Sequence, residues 1–182
     1  MTKREATLEP VYTVLMDGIF KGIEATEKAG CYGSMAILIY SGMDTMAFTS
    51  LKPGEKHEGR AFVAWADQYM RFTPGDEQLT GYDLYGARCG MLHATTTTSD
   101  LFAKGKCRQI GYIAGPIGAN AVMHKPNSDN LVLVNIVALK NAFIDGCVKY
   151  MDDAFKQPGR LEEILLRLDQ CVRAIPWTPP SG

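Results

Sequence analysis

This sequence carries no surplus of charge: 19 lysines and arginines face 20 aspartates and glutamates, for a net of -1. No overall field therefore draws the chain onto nucleic acid or anionic lipid, and any contact with RNA must be local. Its cysteines, Cys31, Cys89, Cys107, Cys147 and Cys171, contain no Cys-x2-Cys pair. Its three histidines, His57, His93 and His124, complete no ligand set by spacing. A structural zinc site is not expected, and no metal or cofactor is called for. No apolar stretch without charge reaches membrane-spanning length, so no membrane partner is expected. No apolar leader follows Met1-Thr2-Lys3-Arg4-Glu5, and the cysteines are odd in number, which together predict reduced thiols in a cytoplasmic protein. There is no internal repeat, no low-complexity tract and no linker long enough to divide two domains. The 182 residues are read as one domain with its core over about 8–174 and a flexible tail at 176–182.

What the sequence does have is helical periodicity. Leu8, Val11, Tyr12, Leu15, Ile19 and Ile23 fall on one face of a helix over 8–29, with Thr7 placed to cap it and Gly30 to end it. The segment 33–51 is apolar on nearly every side, so it must be surrounded; Asp44 is its exception, and is either satisfied by a partner, turned to a wet edge or functional. Lys52-Pro53-Gly54 breaks the chain. A further helix over 60–71 carries Phe62, Trp65 and Tyr69 as a core stripe. Thr73-Pro74-Gly75-Asp76-Glu77 reads as the start of the next helix, whose Gly81, Gly86 and Gly90 predict close approach to a neighbour or a second subunit. The hydroxyl-rich run 94–99 ends that helix, either as an ordinary loop or with its hydroxyls and amides lining a phosphate pocket beside Arg88. Within 107–135, residues 108–113 and 130–135 are strand-like and predict a small hairpin appended to the helices. The loop between them holds Gly115-Pro116-Ile117-Gly118, but no Gly-Lys-Ser/Thr follows, so it is a turn and not a phosphate loop. Two more helices, over 136–155 and 161–172, complete a mainly α fold of about five to six helices.

Chemistry is concentrated in Tyr82-Asp83-Leu84-Tyr85-Gly86-Ala87-Arg88-Cys89-Gly90-Met91-Leu92-His93. Arg88 supplies a permanent cation with planar donors that match a phosphate, and His93 exchanges a proton near neutral pH. The plainer alternative pairs Arg88 with an acid such as Asp83 and leaves His93 decorating a helix end. Arg88 to His93 resembles the Arg-x4-His signature of HEPN domains, the higher eukaryotes and prokaryotes nucleotide-binding family of small helical proteins, and the layout over 8–156 is similar to that family.

The resemblance implies a HEPN-like helical bundle and a homodimer in which two copies of the signature form one composite cleft. It also implies a metal-independent endoribonuclease. His93 would move protons at the ribose 2′-hydroxyl or the leaving 5′-oxygen while Arg88 holds the phosphate. RNA would be the substrate, and an antitoxin or regulatory protein a further partner. The position after the arginine, often polar in catalytic members, is Cys89 here. The competing expectation is a catalytically silent HEPN-like module that dimerises or binds a nucleotide or partner protein. A third is a small-molecule sensor using Tyr40, Trp65 and Tyr69. On a regular helix, positions five apart differ by about 140° and 7.5 Å. Arg88 and His93 can thus share a cleft in two ways: a bend between them, or a second chain.

Overall fold

The structure, a computed structural model, describes residues 8–52, 54–56, 58–73, 77–94, 99–115, 121–124, 128 and 130–171, the side chains of residues 93, 94 and 124 excepted. Helix α1 (Val11–Phe20) is wound with π-type spacing and runs without a break into α2 (Lys21–Lys28). Gly30 ends this run as the sequence predicts. It sits at φ 67 and donates to the Glu27 carbonyl, while the Cys31 amide reaches back to Thr26, which satisfies two of the last carbonyls. The capping residue expected at the start, Thr7, lies outside the described residues.

Helix α3 (Tyr32–Ser50) is the centre of the molecule. It packs against α1, α2, α4 (Gly59–Tyr69), α5 (Gly81–Ala94), α7 (Ile136–Phe155) and α8 (Arg160–Leu168). That is why its sequence is apolar all round: Met35, Ile39, Tyr40, Met43 and Met46 are all fully buried. Each such side chain contributes ~1.5–3 kcal/mol by leaving water. Gly42 lets α7 approach, because a Cβ there would lie 2.5 Å from the ring of Phe143. Arg160 locks α8 onto the far end of α3 by donating to the carbonyls of Thr49 and Ser50, which would otherwise be unpaired at a helix C-terminus.

The fold is mainly helical with a small β insertion, as expected, but the insertion is not a hairpin. Strands β1 (Gln109–Ile113) and β3 (Leu131–Asn135) do pair, yet in parallel, with Ile110 opposite Val132. A third strand, β2 (Val122–His124), runs antiparallel along the other side of β3, giving the order β1-β3-β2. Two segments joined by a tight turn can pair only in antiparallel fashion; parallel pairing needs a long crossover. Here the chain between β1 and β3 supplies that length and contributes β2 on the way.

β3 passes straight into α7. Asn135, buried at the junction, accepts from the amides of Val137 and Ala138 and caps the helix. Ser99 does the same for the short α6 (Asp100–Ala103), accepting from the Phe102 amide. Of the hydroxyl-rich run, 95–98 lie outside the described residues, as do residues 116–118 of the loop read as a turn and the tail at 176–182.

Candidate functional site

The helix that carries Arg88 and His93 begins later than its sequence suggests. Residues 77–80 are not helical, and Pro74 and Gly75 lie outside the described residues, so the expected start at Thr73 gives way to Thr80. There the Thr80 hydroxyl accepts from the Asp83 amide while Asp83 accepts from the Thr80 amide, a reciprocal cap. Asp67 of α4 accepts from the Gly81 amide at 2.6 Å. These three acceptors satisfy donors that a helix start leaves over.

Asp83 does more than cap. Its carboxylate also accepts from the backbone amide of Arg108 at 2.7 Å and from the Arg108 guanidinium at 2.6 Å, with Glu77 as that guanidinium's second acid. Burial alone would raise the Asp83 carboxyl, but the hydrogen bonds from Arg108 and Thr80 outweigh it and hold it below its ordinary range. The pairing of Arg88 with Asp83 foreseen as an alternative does not occur, because Asp83 is taken by Arg108. Two of the three glycines of α5 serve packing inside the chain: Gly81 lies against the Val63 carbonyl and Gly86 against the Cys107 sulfur.

With α5 fixed at its start, Arg88 faces α3. Its Nε donates to Asp44 Oδ2 at 2.7 Å, and the two side chains are only 20% and 19% exposed. This is the partner that the acid in the apolar helix requires. Burial works against the guanidinium's charge, and Asp44 with Cys89 more than restores it, so Arg88 is an even weaker acid than usual. Beside the pair lies a recess of about 160 Å³ lined by Asp44, Glu58, Gly59, Phe62, Tyr85 and Arg88. Gly59 makes room there for the Tyr85 ring, which packs on Phe62 with centroids 5.5 Å apart. Burial and the neighbouring Cys89 raise the Tyr85 phenol.

His93 lies in the last turn of α5, and its side chain is outside the described residues. The backbone is informative nonetheless. The helix is continuous from Gly81 to Ala94, so no bend folds position 93 back toward 88, and the two positions keep the ~140° and ~7.5 Å offset of a regular helix. Of the two routes to a shared cleft, a kink is removed. Cys89 is a half-buried thiol, and all five cysteines are free.

The chemistry open to this arrangement is that of an oriented cation. Asp44 accepts from the guanidinium's Nε and fixes its position, as a supporting carboxylate does. Glu58 adds a second negative charge to the recess. Sequence reasoning marked Asp44 and Arg88 separately but not as a pair, and it passed over Glu58 and Tyr85. Only the tertiary packing of α3, α4 and α5 joins them. Among the described residues, no group of three or more His, Cys, Asp or Glu side chains is placed to hold a metal ion, and no helix is long and apolar enough to cross a membrane. Comparison with known proteins finds no matching family model, curated protein or solved structure.

Proposed function

We propose that this chain is a HEPN-like, metal-independent endoribonuclease that works as a homodimer, with Arg88 and His93 of two copies completing one cleft. The observation that carries the reading is the oriented Arg88: a mostly buried guanidinium held by Asp44 at 2.7 Å beside an open recess. An arginine of this kind holds its cation in a fixed place instead of sweeping the surface, as a phosphate-binding group requires. In the proposed reaction the ribose 2′-hydroxyl attacks its own phosphate, the 5′-oxygen leaves, and His93 handles the protons. The products carry a 2′,3′-cyclic phosphate, and DNA, which lacks the nucleophile, is spared. A cytoplasmic setting and a restraining partner protein belong to the same proposal.

A second reading has its own support. Asp44 and Glu58 are two carboxylates lining the recess beside Arg88, which opposes a polyanion and fits a catalytically silent HEPN-like module. One experiment separates the two. The purified protein is incubated with single-stranded RNA and DNA in EDTA and its oligomeric state is measured in parallel. Cleavage of RNA alone, with cyclic-phosphate ends and loss of activity in His93→Ala, supports the nuclease. A dimer without cleavage supports the silent module, and a monomer at micromolar concentration overturns both.

A further inference from the structure

A second cavity shares no wall residue with the recess beside Arg88. It measures about 550 Å³ and opens between the end of α3 and helices α4, α7 and α8, with Trp65, Tyr69, Tyr150, Asp153, Arg160 and Glu163 in its wall. That size suits a small organic ligand. Trp65 and Tyr69 are the aromatic stripe of α4, and Tyr150 joins them from α7: Trp65 to Tyr69 is 5.6 Å between centroids and Tyr69 to Tyr150 is 5.3 Å. Tyr150 packs edge on face with both other rings while Trp65 and Tyr69 are tilted on each other, so the three build a packed wall rather than an open cage.

Three features of the wall decide what it can hold. First, Arg160 is committed. One terminal nitrogen binds Glu163 at 2.7 Å and the other binds the carbonyls of Thr49 and Ser50 and the Tyr150 hydroxyl. It cannot turn to an incoming anion without uncapping α3, and it consumes the charge of Glu163. Second, Asp153 lacks a close cation. Its side chain is only 27% exposed, and its partners, Lys149 at 3.5 Å and Lys156 at 3.6 Å, are long, solvent-exposed side chains of its own helix region. Pairs of that kind contribute little and are easily exchanged. Third, the indole of Trp65, 2% exposed, has a buried Nε1–H with no acceptor. That nitrogen is sealed from solvent, so the donor the wall offers is the Tyr69 hydroxyl, which accepts from the Gln68 amide at 3.0 Å and keeps its own proton for an acceptor. The proximity of Asp153 to the aromatic wall is also felt by Tyr69, whose phenol is raised by burial first and by the Asp153 charge second.

We propose that this cavity binds a small organic amine that also bears a hydrogen-bond-accepting oxygen, its ammonium paired with Asp153 and its oxygen taken by donors of the aromatic wall. Of the two carboxylates among the described residues of the wall, Glu163 is held by Arg160 at 2.7 Å and Asp153 has no cation closer than 3.5 Å. The site is independent of the proposed nuclease centre.

The test uses the full chain with Trp177→Phe, which leaves Trp65 as the single indole of the two in the sequence. Tyramine, which has an ammonium and a phenol oxygen, is titrated against tyrosol, which differs only by a hydroxyl in place of the amine. Trp65 emission and calorimetry report binding. Tyramine is expected to bind saturably, tyrosol at least about tenfold more weakly, and Asp153→Asn to weaken tyramine by about the same factor, the size of one charge-assisted contact. Equal binding of the two probes, no saturable tyramine binding by the folded chain, or an unchanged affinity in Asp153→Asn overturns the proposal. Should Asp153→Asn fail to fold, the comparison of amine with alcohol on the unmutated Asp153 decides.

Discussion

Arg88 Nε and Asp44 Oδ2 meet at 2.7 Å across forty-four positions of sequence, joining α5 to the central helix α3. Both side chains are about four-fifths removed from solvent, so the pair lies between an exposed bridge and a fully buried one. A double-mutant cycle of Asp44→Asn and Arg88→Met in urea denaturation should give a coupling of ~1 kcal/mol or more, because the two share one contact. Single costs of ~1–2 kcal/mol are expected, since each leaves a partner less well satisfied. Additivity within ~0.3 kcal/mol would show that the pair contributes nothing to holding α5 on α3.

Asp83 ties acid stability to the start of α5. Burial pushes its carboxyl up and the bonds from Arg108 and Thr80 push it further down, below the ordinary 3.8. A depressed folded-state value means that the stabilisation is complete above 3.8 and is lost as pH falls through the lower folded value. Stability measured by denaturant should therefore drop as pH falls below 3.8. Asp83→Asn should flatten part of that drop. At neutral pH the same variant should cost ~3 kcal/mol, because it leaves the guanidinium of Arg108 half-buried with one acid fewer. A drop of unchanged steepness in Asp83→Asn would assign the acid limit to other carboxylates.

The parts of the fold that sequence made legible are those set by local physics. Helical spacing of Leu15, Ile19 and Ile23 and the stop at Gly30 need nothing beyond the chain's own neighbours. The encirclement of α3 follows from the absence of any polar stripe. What stayed hidden depends on distant segments. The start of α5 passed from Thr73 to Thr80 because Asp67 of α4 and Arg108, just before β1, complete the cap at Thr80 and Asp83. β1 and β3 looked like hairpin partners because composition does not record direction, and the three residues of β2 are too short to announce themselves. Asp44 and Arg88 were each visible, but their meeting is a product of packing. The cavity beside Asp153 needed α7 and α8 to close against α4.

Tyr40 and Tyr112 place the corresponding limit on the alkaline side. Their hydroxyl oxygens lie 2.7 Å apart where α3 meets β1. Burial raises Tyr40 far above its usual range and pushes Tyr112 from 10.0 up to about 12. A raised value means that stability from these phenols is full below 10.0 and falls as pH rises from there through about 12. Phenolate absorbance should show two tyrosines that ionise only as the protein unfolds. Tyr112→Phe should cost ~1–3 kcal/mol at neutral pH by leaving the buried Tyr40 hydroxyl without its partner, and should make the alkaline loss shallower. Two ordinary, reversible titrations in the folded protein would refute this.

If the nuclease reading holds, the geometry of α5 dictates how the activity is shared between chains. Because the helix is unbroken from Gly81 to Ala94, positions 88 and 93 stay about 140° apart, and one chain cannot bring both to one phosphate by bending. Arg88→Ala and His93→Ala, each inactive alone, should then complement. Denatured together and refolded as a mixture, they form heterodimers in which an intact Arg88 from one chain faces an intact His93 from the other. RNA cleavage in EDTA should reappear in the mixture and not in either parent treated in the same way. Equal silence in the mixture, with heterodimers demonstrated by a size tag on one chain, would mean that both groups must come from the same chain or that the reaction does not use them.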